Sequence, residues 1–420
     1  MNKSSWFCAQ IGAREHYAVA RALHRQGKLA ALYTDFWADP WLRQMARRPG
    51  LSTLNSLAAR FHPELSAAPV FSWKWRALVW EAGLRHRSRR PGPAGPYGGF
   101  IEVGRHFSVR VRQALGRRKD LGPDSVFFAY DTGALEALEW CRHRGIRTVL
   151  NQMDPGRVEV NLVREEEKSW PGWQAETVEV PEEYFQRREQ EWALADRVMV
   201  NSEFCRDALV KQGVTPHKVV VVPLCYQAAK ANTANGNQLP VRAAADGKSS
   251  RPCLRVLWLG QVILRKGIQY LLAAAKQLEN ENIQFDVVGP LGISQSAMAA
   301  APRNVIFHGR ATRDQAGGWY RRANLFVLPT LSDGFAITQL EAMSHGLPVI
   351  ATPCCGAVVS HGVDGFVVPP RDAEALAATL RLYLQDSKLL ADHQSAAFAK
   401  AGQFTLERLA ANLQSLEASL

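Results

Sequence analysis

The chain has 420 residues, 47% hydrophobic and 21% charged, a globular balance with room for two or three domains. Its seven cysteines (Cys8, Cys141, Cys205, Cys225, Cys253, Cys354 and Cys355) form no C-x-x-C pair, which argues against a zinc ribbon or a secreted disulfide framework and for buried thiols in a reducing cytosol. The first residues lack the apolar stretch of a signal peptide, and no run reaches the ~18 apolar residues of a membrane span. A cytoplasmic location is therefore expected, with any membrane contact peripheral and on the inner face.

The predicted elements start with a strand at 5–11, a turn at Gly12, a helix over 16–26 ended by Gly27, and a strand at 30–34. Residues 40–120 mix tryptophans with many arginines, and the Pro/Gly-rich stretch 91–100 reads as a loop. Alternation resumes with a strand at 125–130, a helix at 133–144 and a strand at 147–151. An acid-rich stretch, 157–191, reads as helix and loop over the domain surface, and short strands follow at 197–201 and 219–222. Residues 227–252 are polar and aperiodic, the composition of a linker. A second alternation then places strands near 255–259, 284–288, 304–307, 324–328, 348–351 and 366–368, with helices at 267–279, 313–322, 338–345 and 373–385. The last helix, 406–418, carries Leu406, Leu409, Leu413 and Leu416 on one side.

Strand-helix alternation of this kind implies α/β architecture with parallel sheets covered on both faces. The expected fold is two Rossmann-like doubly wound domains facing a cleft, with ligands outside the carboxyl ends of the strands. The domain boundaries read as 1–226 with a basic insertion at 42–119, a linker at 227–252, a second domain at 253–395, and a C-terminal helical segment at 396–420 directed back towards the first domain.

Three stretches carry chemistry. In 328–352 a strand ends at Pro329, a loop holds Asp333 and Gly334, and a helix is predicted to start near Ala336. A helix start presents unpaired N–H groups to an anion, and glycine lets the backbone approach it. Glu341 lies eight residues past Asp333, and two carboxylates so placed accept hydrogen bonds from hydroxyls of one ligand; a helix cap and a solvated helix residue are the competing readings. In 257–272 a strand ends at Gly260, and Gln261, Arg265 and Lys266 precede Gly267; cations there neutralise a diphosphate leaving group. In 304–330 Gly309 and Arg310 follow a strand and offer backbone groups to a base, while His308 reads as structural.

Together these stretches, G-x-x-x-x-R-K-G, V-x-F-x-G and D-G-F–x5–E-A-M–x2–G-x-P-V-I-A, resemble the donor domain of family 4 glycosyltransferases of the GT-B fold over about 253–385. The N-terminal half resembles that family more loosely. The resemblance implies a retaining, metal-independent glycosyltransferase with a nucleotide-diphosphate sugar as co-substrate and no other cofactor. It places Lys266 and Arg265 on the diphosphate, Asp333 on the sugar, Glu341 on the ribose, and backbone groups of Phe335 and Ala336 on sugar or phosphate. Two departures are visible: Gln261 stands where the family usually has Arg, and Asp333 where it has Glu. In the N-terminal half the resemblance puts Gly12, Arg14, Glu15 and His16 near the acceptor. A family histidine is absent from VLNQMDPG, so Gln152 or Asp154 is expected to take that role, and Asp131 lies at the previous strand end. Asp154, with Lys266 and Asp333, is thus a candidate catalytic residue. The implied partners are the nucleotide sugar and a glycan or lipid-linked acceptor of polysaccharide or glycolipid synthesis. A GT-B scaffold without catalysis and a nucleotide-sugar epimerase are the alternatives.

The net charge of +12 is concentrated: residues 42–119 hold 16 Lys/Arg against Glu64, Glu81 and Glu102. With Trp41 at its edge and Phe61, Phe71, Trp73, Trp75 and Trp80 inside it, the segment suits an anionic membrane surface, and 71–87 reads as an amphipathic helix for docking there. No recognition motif supports nucleic acid as the partner, and a solvated basic surface over a tryptophan-containing core is the plain alternative.

Overall fold

The computed structural model describes residues 4–46, 55–73, 95–176, 178–227 and 253–420. Among them lie two parallel sheets. The first contains β1 (Ser5–Gln10), β2 (Leu29–Thr34), β3 (Val70–Ser72), β4 (Ser125–Tyr130), β5 (Arg147–Gln152), β6 (Arg197–Val200) and β7 (Val219–Val221), in the order β3-β2-β1-β4-β5-β6-β7. The second contains β8 (Leu254–Leu259), β9 (Ile283–Val288), β10 (Val305–Gly309), β11 (Leu325–Leu328), β12 (Val349–Ala351) and β13 (Gly365–Val367), in the order β10-β9-β8-β11-β12-β13. Every strand pairing in both is parallel. The central strands are short apolar runs buried on both faces, such as SVFFAY of β4, whereas the edge strands β3 and β10 are partly exposed. The order reverses between β1 and β4 and again between β8 and β11, so each domain has its crevice there. The expected architecture, two doubly wound domains, is the observed one.

Several local expectations change. The first helix begins at Ala18, not 16, because Glu15, His16 and Tyr17 all take left-handed backbone angles (φ 50°, 51° and 59°). β3 lies inside the basic insertion and pairs with β2, a strand too short to leave a periodic signature. Most of 91–100, read as loop, opens a 21-residue helix, Gly95–Leu115. A proline in a first helical turn removes an N–H that has no intrahelical partner, so it does not forbid this start. The linker, 228–252, and the docking helix from residue 74 onward lie outside the described residues. Of that segment's aromatics, Trp41 and Phe71 are exposed, whereas Trp73 packs against the first domain's core. Among the described residues no helix is long and apolar enough to cross a membrane.

The C-terminal segment crosses between domains later than residue 396. Helix Ser387–Ala401 stays in the second domain, and the chain crosses through 402–405, where the Tyr226 N–H donates to the Phe404 carbonyl at 2.8 Å. Helix Leu406–Ala418 then buries Leu406, Leu409, Leu413 and Leu416 against Trp6, Leu23 and Val126 of the first domain. Spacing of three and four puts these leucines on one stripe, and each contributes about 1.5–3 kcal/mol on full burial.

A second crossing fixes the cleft. Helix Arg157–Ser169 follows β5 of the first domain, yet its Glu166, 1% exposed, is bonded wholly to the second. One Glu166 oxygen accepts from Gln269 Nε2 and the Tyr270 hydroxyl, both at 2.8 Å; the other accepts from Arg371 Nε at 2.6 Å. The following residues extend the contact, with Ala175 N–H donating to the Gly292 carbonyl and Ser294 N–H to that of Trp173. The acid-rich stretch is thus an interdomain strap, and only part of it is surface. Glu166→Ala takes the carboxylate from the Tyr270 hydroxyl and Arg371 and leaves the buried Gln269 amide only the Leu264 carbonyl, so a loss of about 2 kcal/mol is expected in urea denaturation. An unchanged midpoint would contradict this assignment.

Candidate active site in the interdomain cleft

Beyond β8 the chain makes one tight turn, Leu264–Lys266, and Gly267 (φ +75°) opens helix Ile268–Gln277. Beyond β11, on the adjacent strand, runs the loop 329–337. These loops touch because of Gly267: a Cβ there would stand 1.8 Å from the Pro329 carbonyl oxygen. The Leu331 N–H donates to the Arg265 carbonyl at 2.9 Å. The Lys266 ammonium pairs with the Asp333 carboxylate. Arg265 donates to the Ser332 carbonyl at 2.8 Å and, at 3.3 Å, to Glu159 of helix Arg157–Ser169.

The loop meets the first domain directly. A Cβ on Gly334 would lie 2.0 Å from the Met153 carbonyl oxygen, and Asn201 Nδ2 already donates to that oxygen at 3.0 Å. Between the domains lies a hollow of about 310 Å³, lined by Gly260, Lys266 and Asp333, by 334–338, and across the cleft by Met153 and Asn201. Ala336 is left-handed (φ 61°) and the helix begins at Thr338, the start of the predicted 338–345 helix and two residues beyond the Ala336 start that the loop reading gave. The consequence is useful: among the described residues, the N–H groups of Phe335, Ala336 and Ile337 donate to no protein acceptor. A run of unpaired N–H groups beside a lysine is a ready anion site.

Glu341 sits one turn past Thr338 and accepts from the Tyr320 hydroxyl at 2.8 Å. Burial, followed by Glu341 itself, pushes the Tyr320 phenol well above its ordinary value. Tyr320 belongs to helix Arg313–Arg322, which borders a second hollow of about 410 Å³ lined by Gly309, Arg310, Gln315, Trp319, Arg321 and Arg322. Glu341 thus connects the helices that bound the two hollows, though it lines neither. Gln261 is exposed and lines neither. His308 bonds Asp286 at 2.8 Å and packs on Trp319, the supporting place its sequence context suggested. No group of three or more His, Cys, Asp or Glu able to hold a metal ion occurs among the described residues.

On the opposite face, Gly12 N–H donates to Asp35 at 2.8 Å and turns the chain at the end of β1. Three consecutive left-handed residues without glycine follow, each costing about 1–2 kcal/mol, strain that concentrates at functional sites. His16 is exposed. Glu15 accepts from the Tyr130 hydroxyl at 3.3 Å, while its second oxygen is buried with no hydrogen-bond partner among the described residues. Arg14 stands 3.6 Å from Asp131. Arg188, itself buried, bridges Asp131 at 3.1 Å and Asp154 at 2.6 Å. Burial raises the Asp131 carboxyl, offset only in part by Arg188. Burial also opposes ionisation of Asp154, but Arg188 and the Gly156 N–H outweigh it and hold that carboxyl below its ordinary value. Gln152 needs correction. It is wholly buried, accepting from Trp192 Nε1 at 2.9 Å and donating to the Asp154 carbonyl, so its amide serves the loop and no acceptor.

Glu159, Ser332, Asn201 and Arg188 went unnoticed in the sequence. Each becomes significant only through a partner distant in the chain, and nothing local marks them.

Burial raises the Glu15 carboxyl to about 7, and Tyr130 and Arg14 only moderate this. A carboxyl raised on folding keeps its proton in the fold after the unfolded chain has lost it. Its contribution is complete below the unfolded value, 4.5, and is lost as pH rises through about 7. Wild type should therefore lose stability relative to Glu15→Gln in urea titrations between about pH 5 and pH 8. An equal difference at both ends would contradict the burial of this group.

Residues 253–386 match the family described as "Glycosyl transferases group 1". Among curated proteins, a D-inositol 3-phosphate glycosyltransferase of Streptomyces bingchenggensis is 30% identical over 244 residues, 53% of this chain and 52% of that protein. Its counterpart in Streptomyces avermitilis is 29% identical over 220 residues, 47% of this chain and 46% of that protein. The chain thus spans about half the length of the curated relatives it matches. Among solved structures, sucrose-phosphate synthase from Thermosynechococcus elongatus superposes with a TM-score of 0.60 at 19% identity, covering 98% of both chains. HepE of Anabaena, solved in complex with UDP, gives 0.56 at 14% identity, covering 99% of this chain and 100% of that one. The chain therefore has the GT-B fold, and its second domain carries the sequence pattern of the group 1 glycosyltransferases.

Proposed function

We propose that this protein is a retaining, metal-independent glycosyltransferase that moves a hexose-type sugar from a nucleoside-diphosphate donor to a hydroxyl of a glycan or lipid-linked acceptor. One observation carries the reading: Lys266 and, unpaired among the described residues, the N–H groups of Phe335–Ile337 line a hollow whose far wall is the other domain, with Arg265 next to Lys266 in the chain and bonded to the Ser332 carbonyl of the same loop. The sequence likeness of the second domain to nucleotide-sugar enzymes supports it.

The donor diphosphate lies against Lys266 and the 335–337 N–H groups, with Arg265 beside them. Asp333, on giving up Lys266, accepts from the sugar hydroxyls. Glu341 takes the ribose hydroxyls, and the base lies in the hollow beside Gly309, Arg310 and Trp319. The acceptor approaches from Glu15 and Asp131. Its hydroxyl oxygen bonds to the anomeric carbon on the face the diphosphate leaves, and its proton passes to the departing β-phosphate oxygen. Charge grows on the leaving diphosphate during this step, and fixed cations and N–H groups stabilise it most there. They do the work a divalent metal does elsewhere. The left-handed turn at Glu15 and its unpaired buried oxygen favour an acceptor that donates hydrogen bonds.

A thermal-shift panel of UDP, GDP and ADP sugars tests the donor site. The preferred donor at about a hundred times its Kd should add roughly 2.7 kcal/mol of stability. Lys266→Ala and Glu341→Ala should each cut turnover of that donor about 100-fold or more, the scale of one lost transition-state contact, with melting curves still cooperative. Near wild-type rates for both would defeat the assignment. Release of nucleoside diphosphate that depends on acceptor marks a transferase, a new nucleotide sugar marks an epimerase, and neither marks a scaffold without catalysis.

A further inference from the structure

The two cations that the proposed donor site requires are both bound to carboxylates, and one of those carboxylates belongs to the other domain. Lys266 pairs with Asp333 of the neighbouring loop. Arg265 pairs with Glu159, near the start of the strap helix Arg157–Ser169. The Glu159 oxygen facing Arg265 also accepts from the Ser332 hydroxyl at 2.7 Å, and Ser332 is wholly buried. Seven residues on, Glu166 clamps the same helix to Gln269, Tyr270 and Arg371. Two turns of helix therefore separate a fixed anchor from Glu159, so the backbone that carries Glu159 stays beside Arg265 while the domain contact holds.

The charge around Glu159 is unfavourable to more anion. Burial raises its carboxyl, Arg265 opposes that, and Asp154 and then Asp333 add to the rise, with the Ser332 hydroxyl lowering it. Lys266, facing Asp333, and Arg188, facing Asp154, complete the charged neighbours. A diphosphate entering beside Arg265 brings like charge towards Glu159 and draws on the guanidinium that Glu159 now holds. In a partly buried site neither effect is screened away as on an open surface.

We propose that Glu159 is a positioning residue that limits donor affinity by competing with the diphosphate for Arg265. The inference rests on the reading that Arg265 and Lys266 receive the diphosphate. Its catalytic sense is release: a nucleoside diphosphate bound too tightly stalls turnover, and a fixed carboxylate behind the guanidinium keeps the product exchangeable. A purely architectural Glu159 has the opposite signature, because losing it would loosen the loop and weaken binding.

Calorimetric titration of the full chain with UDP, GDP and ADP decides the matter, using wild type, Glu159→Gln, Arg265→Ala and the double variant. Glutamine retains an acceptor for Ser332 while removing the charge. We expect the nucleotide that wild type prefers to bind Glu159→Gln roughly three- to tenfold tighter. We expect that gain to vanish in the Arg265→Ala background, a coupling that an architectural role does not produce. Glu159→Ala serves as the second charge-removing variant if Glu159→Gln does not fold. Equal or weaker binding by the folded charge-removing variant, or a gain that persists without Arg265, overturns the proposal and leaves the donor site standing. If wild type binds none of the three nucleotides, the donor-site reading falls and this inference falls with it.

Discussion

A single carboxylate placed inside the other domain sets the geometry on which the rest depends. Glu166 leaves water, belongs to the first domain by chain order, and finds its three hydrogen-bond partners in the second. Burying an ionised group is tolerable only when partners replace its hydration, so the strap helix has one docked position and little freedom around it. That position turns the carboxyl ends of both sheets towards a common gap. It also brings Met153 and Asn201 within reach of Gly334. The C-terminal helix closes the same arrangement from the other side by returning four leucines to the first domain's core.

Within the gap, cations face carboxylates: Lys266 with Asp333, Arg265 with Glu159, and Arg188 and Arg14 with Asp154 and Asp131. Such a site is stable as it stands, and an incoming anion must displace a carboxylate from each cation it takes. The N–H groups of Phe335, Ala336 and Ile337 add donors that no protein group claims among the described residues. Left-handed Ala336 delays the helix and spreads those N–H groups along the hollow instead of aiming them down one helix axis. Polar groups held in place in this way cost little reorganisation when charge develops, which is the physical basis of the proposed catalysis.

Much of the scaffold was legible because local pattern and global fold agree. Short apolar runs separated by helical periodicity define both parallel sheets, and Gly267 and Gly334 mark backbone approaches that no side chain permits. Lys266, Asp333 and Gly334 come together as their motif spacing implied. What escaped is non-local. Glu159 and Glu166 read as surface acids because an acidic helix normally faces water, and their partners lie about 100 or more residues away. Gln152 sits at a strand end, where function is common, but Trp192 from a later helix claims its carbonyl oxygen. β3, three residues long, leaves no periodic signature, and the start of helix Gly95–Leu115 was hidden by Pro/Gly composition, a local signal that tertiary packing overrode.

The most direct measurement is a structure of the protein with its preferred nucleoside diphosphate bound. The account predicts phosphate oxygens within hydrogen-bond reach of Lys266 Nζ and the N–H groups of Phe335–Ile337, with Asp333 released from Lys266. A nucleotide whose phosphates instead rest on basic residues of the 42–119 segment, with the Lys266–Asp333 pair intact, would contradict it.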